Sequence, residues 1–154
     1  MAFLLASACG ASSFDGHVFR RGELAFRVGP IPASWRPIEV DDTLLAFRDD
    51  DAAATVAVNG RCGLDGDDVP LEALTHHLFL HFTDRKLMSQ ERFELDGRAA
   101  LRTELSAALD GVPLRYRVVV VKKDGCVYDF MLMDTASGGA GAFDRFVAGF
   151  ETVR

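Results

Sequence analysis

The chain has 154 residues, of which 49% are hydrophobic and 26% charged, and its formal net charge is −6. This length favours one domain, and a content of twelve phenylalanines excludes a disordered protein. The acidic balance argues against nucleic acid as a partner, because binding to a phosphate backbone needs a basic surface. The sequence has no apolar run of about 18 residues, so it predicts no membrane-spanning helix.

The N-terminus is apolar and ends in small side chains and a cysteine. Its last five residues, Leu5-Ala6-Ser7-Ala8-Cys9, resemble a bacterial lipobox, in which the cysteine thiol carries a lipid. No Lys or Arg precedes the apolar run, and we expect that the start codon was assigned too late and that a basic region is missing. We therefore predict a truncated lipoprotein signal and tether over residues 1–16, with lipid on Cys9, and a single domain over residues 17–154. The alternative is a cytosolic protein with a frayed apolar end.

The first part of the domain reads as short strands and one loop. We predict a hairpin about Arg21-Gly22 and strands near residues 43–48 and 54–62. Between them a proline-rich loop leads to the single tryptophan of the chain. Three residues of this region are candidates for a partner-binding surface: Pro30, Pro32 and Trp35. The alternative for the tryptophan is a side chain packed as a lid on the sheet edge, since only an exposed one marks a binding surface.

A helix is predicted over residues 70–82, with Asp67-Asp68 as its N-cap region and Pro70 just inside its start. His77 and His81 stand at i and i+4 of this helix, a spacing that lets two imidazoles reach one metal ion. Two ligands are too few for a structural zinc site, which wants four. We therefore favour amphipathic side chains beside the apolar stripe, with a metal site as the weaker hypothesis. The preceding acidic stretch starts like a calcium loop but lacks the later ligands.

The second half of the chain predicts an antiparallel meander. Asp-Gly pairs recur every 14 residues, at Asp96, Asp110 and Asp124, and this dipeptide is a strong signal for a two-residue hairpin. The strands between these turns are predicted over residues 86–95, 98–109, 112–121 and 126–133. Two of these strands are apolar on both faces, which requires a cover on each side.

A second helix over residues 140–149 can supply the other cover, because Phe143, Phe146 and Val147 share one of its faces. The predicted fold class is therefore α+β, with a central antiparallel sheet in a three-layer α/β/α arrangement. The glycine-rich segment Gly138–Gly141 before this helix is interpreted as a flexible connection rather than an anion site.

Three cysteines leave one odd thiol. If Cys9 carries lipid, Cys62 and Cys126 remain as a pair that an oxidising periplasm would allow to bridge. The alternative is two unrelated buried thiols that act as small hydrophobes.

Motifs of catalysis are missing from the sequence. It contains no G-x-S-x-G, no P-loop and no G-x-G-x-x-G after a strand. The sequence therefore gives no support for nucleophilic catalysis, and we expect no cofactor.

The order of these elements resembles the PsbP-like superfamily, and three segments carry the resemblance. They are Phe26–Pro30 with Ser34-Trp35, the turn Leu95–Ala100, and the closing helix Phe143–Phe150. The resemblance covers residues 19–150 and is greatest to small exported lipoproteins of this fold. It implies a non-enzymatic binding or assembly module. Together with the lipobox-like N-terminus, it leads us to expect a module on the periplasmic side of the bacterial cell envelope, held to the membrane by lipid on Cys9 and joined by a protein partner.

Two other functions remain open from the sequence. One is a cytosolic chaperone or adaptor of the same fold for a secreted effector, with both remaining cysteines reduced. The other is a metal-binding protein that uses His77 and His81.

Overall fold

The computed structural model describes residues 10–63 and 68–154, and the described residues form antiparallel sheets and two α-helices. The first six strands are β1 (Ser13–Phe14), β2 (Val18–Arg21), β3 (Leu24–Arg27), β4 (Arg36–Ile38), β5 (Leu45–Asp49) and β6 (Ala54–Cys62). The remaining elements are α1 (Leu71–His77), β7 (Thr83–Leu95), β8 (Arg98–Leu109), β9 (Val112–Lys123), β10 (Cys126–Asp134), α2 (Ala140–Ala148) and β11 (Glu151–Thr152). Neither helix is long and apolar enough to cross a bilayer, within the part of the chain described.

The strands belong to a large and a small sheet. The large sheet has seven strands in the order β4-β5-β6-β10-β9-β8-β7, and the small one has four in the order β1-β2-β3-β11. The antiparallel sheet and the two helices agree with the predicted α+β class. The sequence did not predict a separate small sheet, because its last strand is only Glu151–Thr152, which pairs with β3 more than 100 residues away.

The predicted meander is confirmed. β7, β8, β9 and β10 are consecutive neighbours in the large sheet. At each reversal both the aspartate and the glycine have positive φ, between 50° and 79°. A type I′ turn needs this conformation at both central residues, and glycine reaches it without a steric penalty. The Asp-Gly dipeptides therefore fix where the strands reverse.

Two apolar clusters lie on opposite faces of β9. Val119 and Val121 belong to a cluster that includes Phe143 and Phe146 of α2, and we call it the α2 cluster. Val118 and Val120 belong to another cluster, which includes Leu71 of α1 and is called the α1 cluster. Since alternate residues of a strand point to opposite faces, β9 is apolar on both sides, as predicted from its sequence.

Helix α1 is shorter than predicted. It ends at His77 rather than at residue 82, and the next amides donate to carbonyl groups three residues back, with Phe79 N to His76 O at 3.0 Å. This tighter winding places Phe79 and Phe82 against Tyr116 of β9, with ring centroids 5.4 and 5.2 Å from the tyrosine ring. The predicted N-cap is also wrong, because Pro70 itself is the N-cap and no side chain bonds to the helix start.

Helix α2 spans almost the predicted range and is held by close backbone contacts. The Gly29 amide donates to the Phe146 carbonyl at 2.9 Å, and a Cβ at Gly29 would lie 2.0 Å from the Arg145 carbonyl oxygen. At Gly139 a Cβ would lie 2.8 Å from the Leu132 side chain. Within the segment Gly138–Gly141, interpreted from the sequence as a flexible connection, Gly139 is buried and its lack of a side chain permits close packing, whereas Gly138 and Gly141 are exposed.

Candidate functional site in the groove between α1 and β7

An open groove lies between α1 and β7, and β8 forms its floor. Its volume is about 420 Å³. Its apolar lining residues are Phe79, Leu87 and Leu105. Phe79 and Leu105 are buried, so Leu87, which is 62% exposed, supplies most of the accessible apolar surface. We call this feature the α1–β7 groove. An exposed leucine beside a concave apolar surface is typical of a binding site rather than of a folded core.

The pairing of β7 with β8 explains why Leu87 is exposed. β7 is the last strand of the large sheet, so one of its edges has no neighbour among the described strands. Its pairing with β8 is irregular between Thr83 and Lys86 and again between Leu87 and Ser89. Bulges at these places alter which side chains face the core. Residues 83–92 of this edge strand are all exposed.

Polar side chains form the rim of the groove. Gln90 Nε2 donates to Thr103 Oγ1 at 3.0 Å, and Arg85 Nη1 donates to the Phe79 carbonyl at 3.3 Å. Glu72 on α1 forms an ion pair of 2.6 Å with Arg92 on β7. A hydrogen bond from its own backbone amide, and then the bond from Arg92, lower the pKa of the Glu72 carboxyl. The ion pair thus joins the two walls of the groove at one end.

A second cavity, of about 480 Å³, lies beyond this ion pair at the start of α1. Its lining includes Arg92 and two lysines, which make contacts within the protein. Lys122 Nζ donates to the Val69 carbonyl at 2.7 Å, and Lys123 forms an ion pair with Asp96. These bonds hold the residues before α1 and the turn before β8, and they give both lysines structural roles. Arg98 also lines this cavity.

The histidines do not have the predicted arrangement. His77 is the last residue of α1 and His81 lies in the turn after it, so they are not separated by one turn of a continuous helix. The helical spacing that motivated the metal hypothesis is therefore absent. Both side chains are exposed, and His76 borders the groove. Within residues 10–63 and 68–154, no three His, Cys, Asp or Glu residues are grouped to hold a metal ion.

The loop proposed as a partner surface has a buried tryptophan. Trp35 is only 6% exposed and belongs to the α2 cluster, so it is a packed side chain and not an exposed contact. Its amide donates to the Pro32 carbonyl at 3.0 Å. Pro30 is exposed and Pro32 is half-buried. The assignment of Trp35 to a partner surface is therefore corrected, because the lipophilic ring fills the space beside Gly139.

Cys62 and Cys126 form a disulfide in the structure. They are directly opposite each other in the pairing of β6 with β10, which places both thiols on one face of the sheet. Cys62 is exposed and Cys126 is half-buried. Cys9, the predicted lipid attachment, and Asp65 and Asp67 of the acidic stretch lie outside the described residues.

A buried carboxylate was missed by sequence reasoning. Asp129 on β10 is 8% exposed, and its Oδ2 atom has no hydrogen-bond partner. Burial raises the pKa of the Asp129 carboxyl, and the nearby Arg61 guanidinium opposes this only in part. The available signal was a charged residue inside a strand of apolar neighbours. Asp129 does not line the α1–β7 groove.

Comparison with solved structures identifies the fold. The chain is similar to cyanobacterial PsbP (CyanoP) from Synechocystis sp. PCC 6803, with 11% identity, a TM-score of 0.58 and coverage of 99% of this chain and 98% of that one. LpqN of Mycobacterium tuberculosis, described as involved in cell envelope biogenesis, gives 13% identity, a TM-score of 0.57 and coverage of 94% and 90%. A Bacteroides thetaiotaomicron protein gives 11% identity, a TM-score of 0.62 and coverage of 92% of this chain and 50% of that one.

At these identities the likeness concerns the fold alone. The chain has a PsbP-like fold over nearly its whole length, and the resemblance predicted from its sequence is confirmed at that level. No protein-family model and no curated protein sequence matches the chain.

Proposed function

We propose that this chain is a non-enzymatic exported lipoprotein that binds a protein partner in the α1–β7 groove and serves in assembly or scaffolding. The α1–β7 groove is the observation that carries the proposal. It combines an apolar lining with a polar rim, and the 62% exposure of Leu87 leaves apolar surface available to a partner. Interfaces bury such apolar residues at their centre and keep polar groups at the rim.

The disulfide supports the exported location. Disulfides persist in the periplasm and on cell surfaces, and reducing systems remove them in most cytosols. The bond between Cys62 and Cys126 therefore favours the periplasmic side of the envelope, where lipid on Cys9 would hold the chain at a membrane. LpqN, which shares the fold, is described as involved in cell envelope biogenesis, and this supports the proposed location. We also propose that the domain has the three-layer α/β/α arrangement predicted from its sequence, with α1 and α2 as the outer layers.

The groove proposal is tested by photo-crosslinking in cells. A photoreactive phenylalanine analogue replaces Leu87 in the groove or, as the control, Val112 at the start of β9. The two positions have similar exposure, 62% and 56%. We expect a discrete protein adduct from position 87 and none from position 112. Equal labelling at both positions, or no adduct at position 87, would contradict the groove as the binding site.

Lipid attachment is tested separately. Labelled palmitate is supplied to cells that express the gene with its upstream codons, either as the wild type or as Cys9→Ser. We expect incorporation into the wild type alone, because the thiol of Cys9 is the proposed attachment point. An unlabelled wild type would remove the anchoring proposal and leave the groove proposal to its own test.

The cytosolic chaperone or adaptor is the alternative function. It would use the same groove to hold an apolar segment of an exported protein, but with Cys62 and Cys126 reduced. Alkylation of thiols in intact cells, followed by mass spectrometry, separates the two: unmodified, bridged cysteines support export, and alkylated ones support the alternative. The metal-binding hypothesis is tested by elemental analysis of the purified protein beside a His77→Ala variant.

A further inference from the structure

The outer edge of β7 runs beside the α1–β7 groove. β7 has 13 residues, and its other edge pairs with β8 in a regular register from Ser89 to Leu95. Every second amide and carbonyl of a strand points away from the neighbour it already has, so β7 offers a row of backbone donors and acceptors to a further strand. Edge strands of this kind are sites for strand addition by extended peptides.

Natural sheets protect their edges with bulges and charged side chains. The bulges of β7 lie in its first half, whereas charged side chains occur in both halves. The irregular pairing ends at Ser89. The regular stretch that follows is seven residues long and exposes its backbone edge, whereas the bulged half supplies Leu87 and Arg85 to the groove. The regular half of β7 therefore offers backbone groups for pairing, and the bulged half offers side chains for recognition.

The charges of the groove favour an acidic partner segment. Arg85 lines the groove and bonds to the Phe79 carbonyl, but among the described residues it forms no ion pair with a carboxylate. The neighbouring Glu72 is neutralised by Arg92. A guanidinium that is bonded only to a carbonyl can still take a carboxylate, and such charge-assisted bonds are stronger than neutral ones.

We propose that the α1–β7 groove binds an extended segment of a protein, which adds as a strand to the outer edge of β7. The segment carries apolar side chains at alternate positions, one of which packs against the exposed Leu87, and a carboxylate that pairs with Arg85. This inference rests on the proposed function and names the class of its partner. A peptide fits better than a lipid chain, because only a peptide backbone uses the donors and acceptors along β7.

The test starts from a displayed library of random nine-residue peptides, selected on the purified full chain with its disulfide intact. The enriched peptides are expected to alternate apolar and polar residues and to contain Asp or Glu. Amide hydrogen exchange of the protein, measured by NMR with one enriched peptide bound, is expected to slow at least tenfold at alternate residues of 89–95. N-methylation of that peptide at the positions facing β7 should abolish binding, and N-methylation at the intervening positions should not.

Variants of the protein test the charge. We expect Arg85→Gln to weaken binding of the enriched peptide about tenfold, as for loss of a charge-assisted hydrogen bond. Arg85→Lys should retain most of the affinity. Arg98→Gln, an exposed arginine at the start of β8, is the control and should bind like the wild type. Equal binding by Arg85→Gln and wild type would overturn the predicted carboxylate contact.

The outcomes separate this inference from the proposed function. Peptides that bind without slowing exchange in β7, or a library without enrichment, overturn strand addition even when position 87 gives a protein adduct in cells. In that case the groove binds a folded surface of its partner and the proposed function stands. Loss of both the adduct and the peptide binding removes the two proposals together.

Discussion

Removal of the disulfide is expected to lower the free energy of unfolding by about 4 kcal/mol, and the chain-entropy model gives this magnitude. Cys62 and Cys126 are 64 residues apart in sequence. In that model a cross-link closing a loop of this size removes about 14–15 cal/mol/K of entropy from the unfolded chain, which is about 4 kcal/mol at 25 °C. The total free energy of unfolding of a domain of this size is about 5–15 kcal/mol. The double variant should therefore be marginal at 37 °C.

The assay is urea denaturation followed by circular dichroism, with the double variant Cys62→Ala and Cys126→Ala compared with the oxidised wild type. Packing changes contribute little, because Cys62 is exposed and Cys126 is half-buried. The reduced wild type is the matched control, since it retains both sulfur atoms and should unfold like the double variant. A loss below about 1 kcal/mol in both samples would refute the reasoning, because the constraint on the unfolded chain would then be negligible.

Four further predictions follow from the core and its carboxylates. Phe146→Ala removes a fully buried ring and should cost about 3–5 kcal/mol in urea denaturation, whereas the exposed Val112→Ala should change stability by less than about 0.5 kcal/mol. Gly29→Ala should cost more than an ordinary surface substitution, because its Cβ meets the Arg145 carbonyl oxygen at 2.0 Å; an unchanged melting temperature would contradict this. For Asp129, burial raises the folded pKa above the unfolded value of 3.8, so the folded state takes up a proton first as the pH falls. The stability of the wild type relative to Asp129→Asn should therefore decrease as the pH rises above 3.8 and through the folded pKa. For Asp96, burial is outweighed by bonds from Lys123 and Thr152, and the folded pKa is lowered. The stability that the Asp96 carboxylate contributes is therefore present above the unfolded pKa of 3.8 and is lost as the pH falls through the folded pKa. Asp96→Asn should remove this acid dependence and lower the free energy of unfolding by about 1.5–3 kcal/mol at pH 7.

Local signals predicted the second half of the chain well. Each Asp-Gly turn needs positive φ at two consecutive residues, and few other dipeptides meet that need, so the strand ends were fixed by the sequence itself. Helix α2 was also predicted from a local pattern, because Phe143 and Phe146 recur at helical spacing and are buried on one face. These features depend on residues close together in the chain, which is why they are visible without a structure.

Features that depend on distant residues were not predictable. The early end of α1 reflects the packing of Phe79 and Phe82 around Tyr116, a residue more than 30 positions away. The close contact at Gly139 involves Leu132, Ala54 and Trp35, and a glycine-rich segment has no pattern that distinguishes flexibility from tight packing. The α1–β7 groove was missed for the same reason, because both bulges of β7 arise from its pairing with β8.

The strand order has a consequence for how the molecule would stand on a membrane. β1, the first strand after residues 1–9, has Phe14 against Phe47 of β5, with ring centroids 6.0 Å apart. β7 is five strand intervals from β5 in the large sheet, a lateral distance of about 24 Å at the usual strand spacing. The outer edge of β7 therefore lies well away from β1, where the described chain begins, and the proposed lipid on Cys9 would leave that edge within reach of a second molecule.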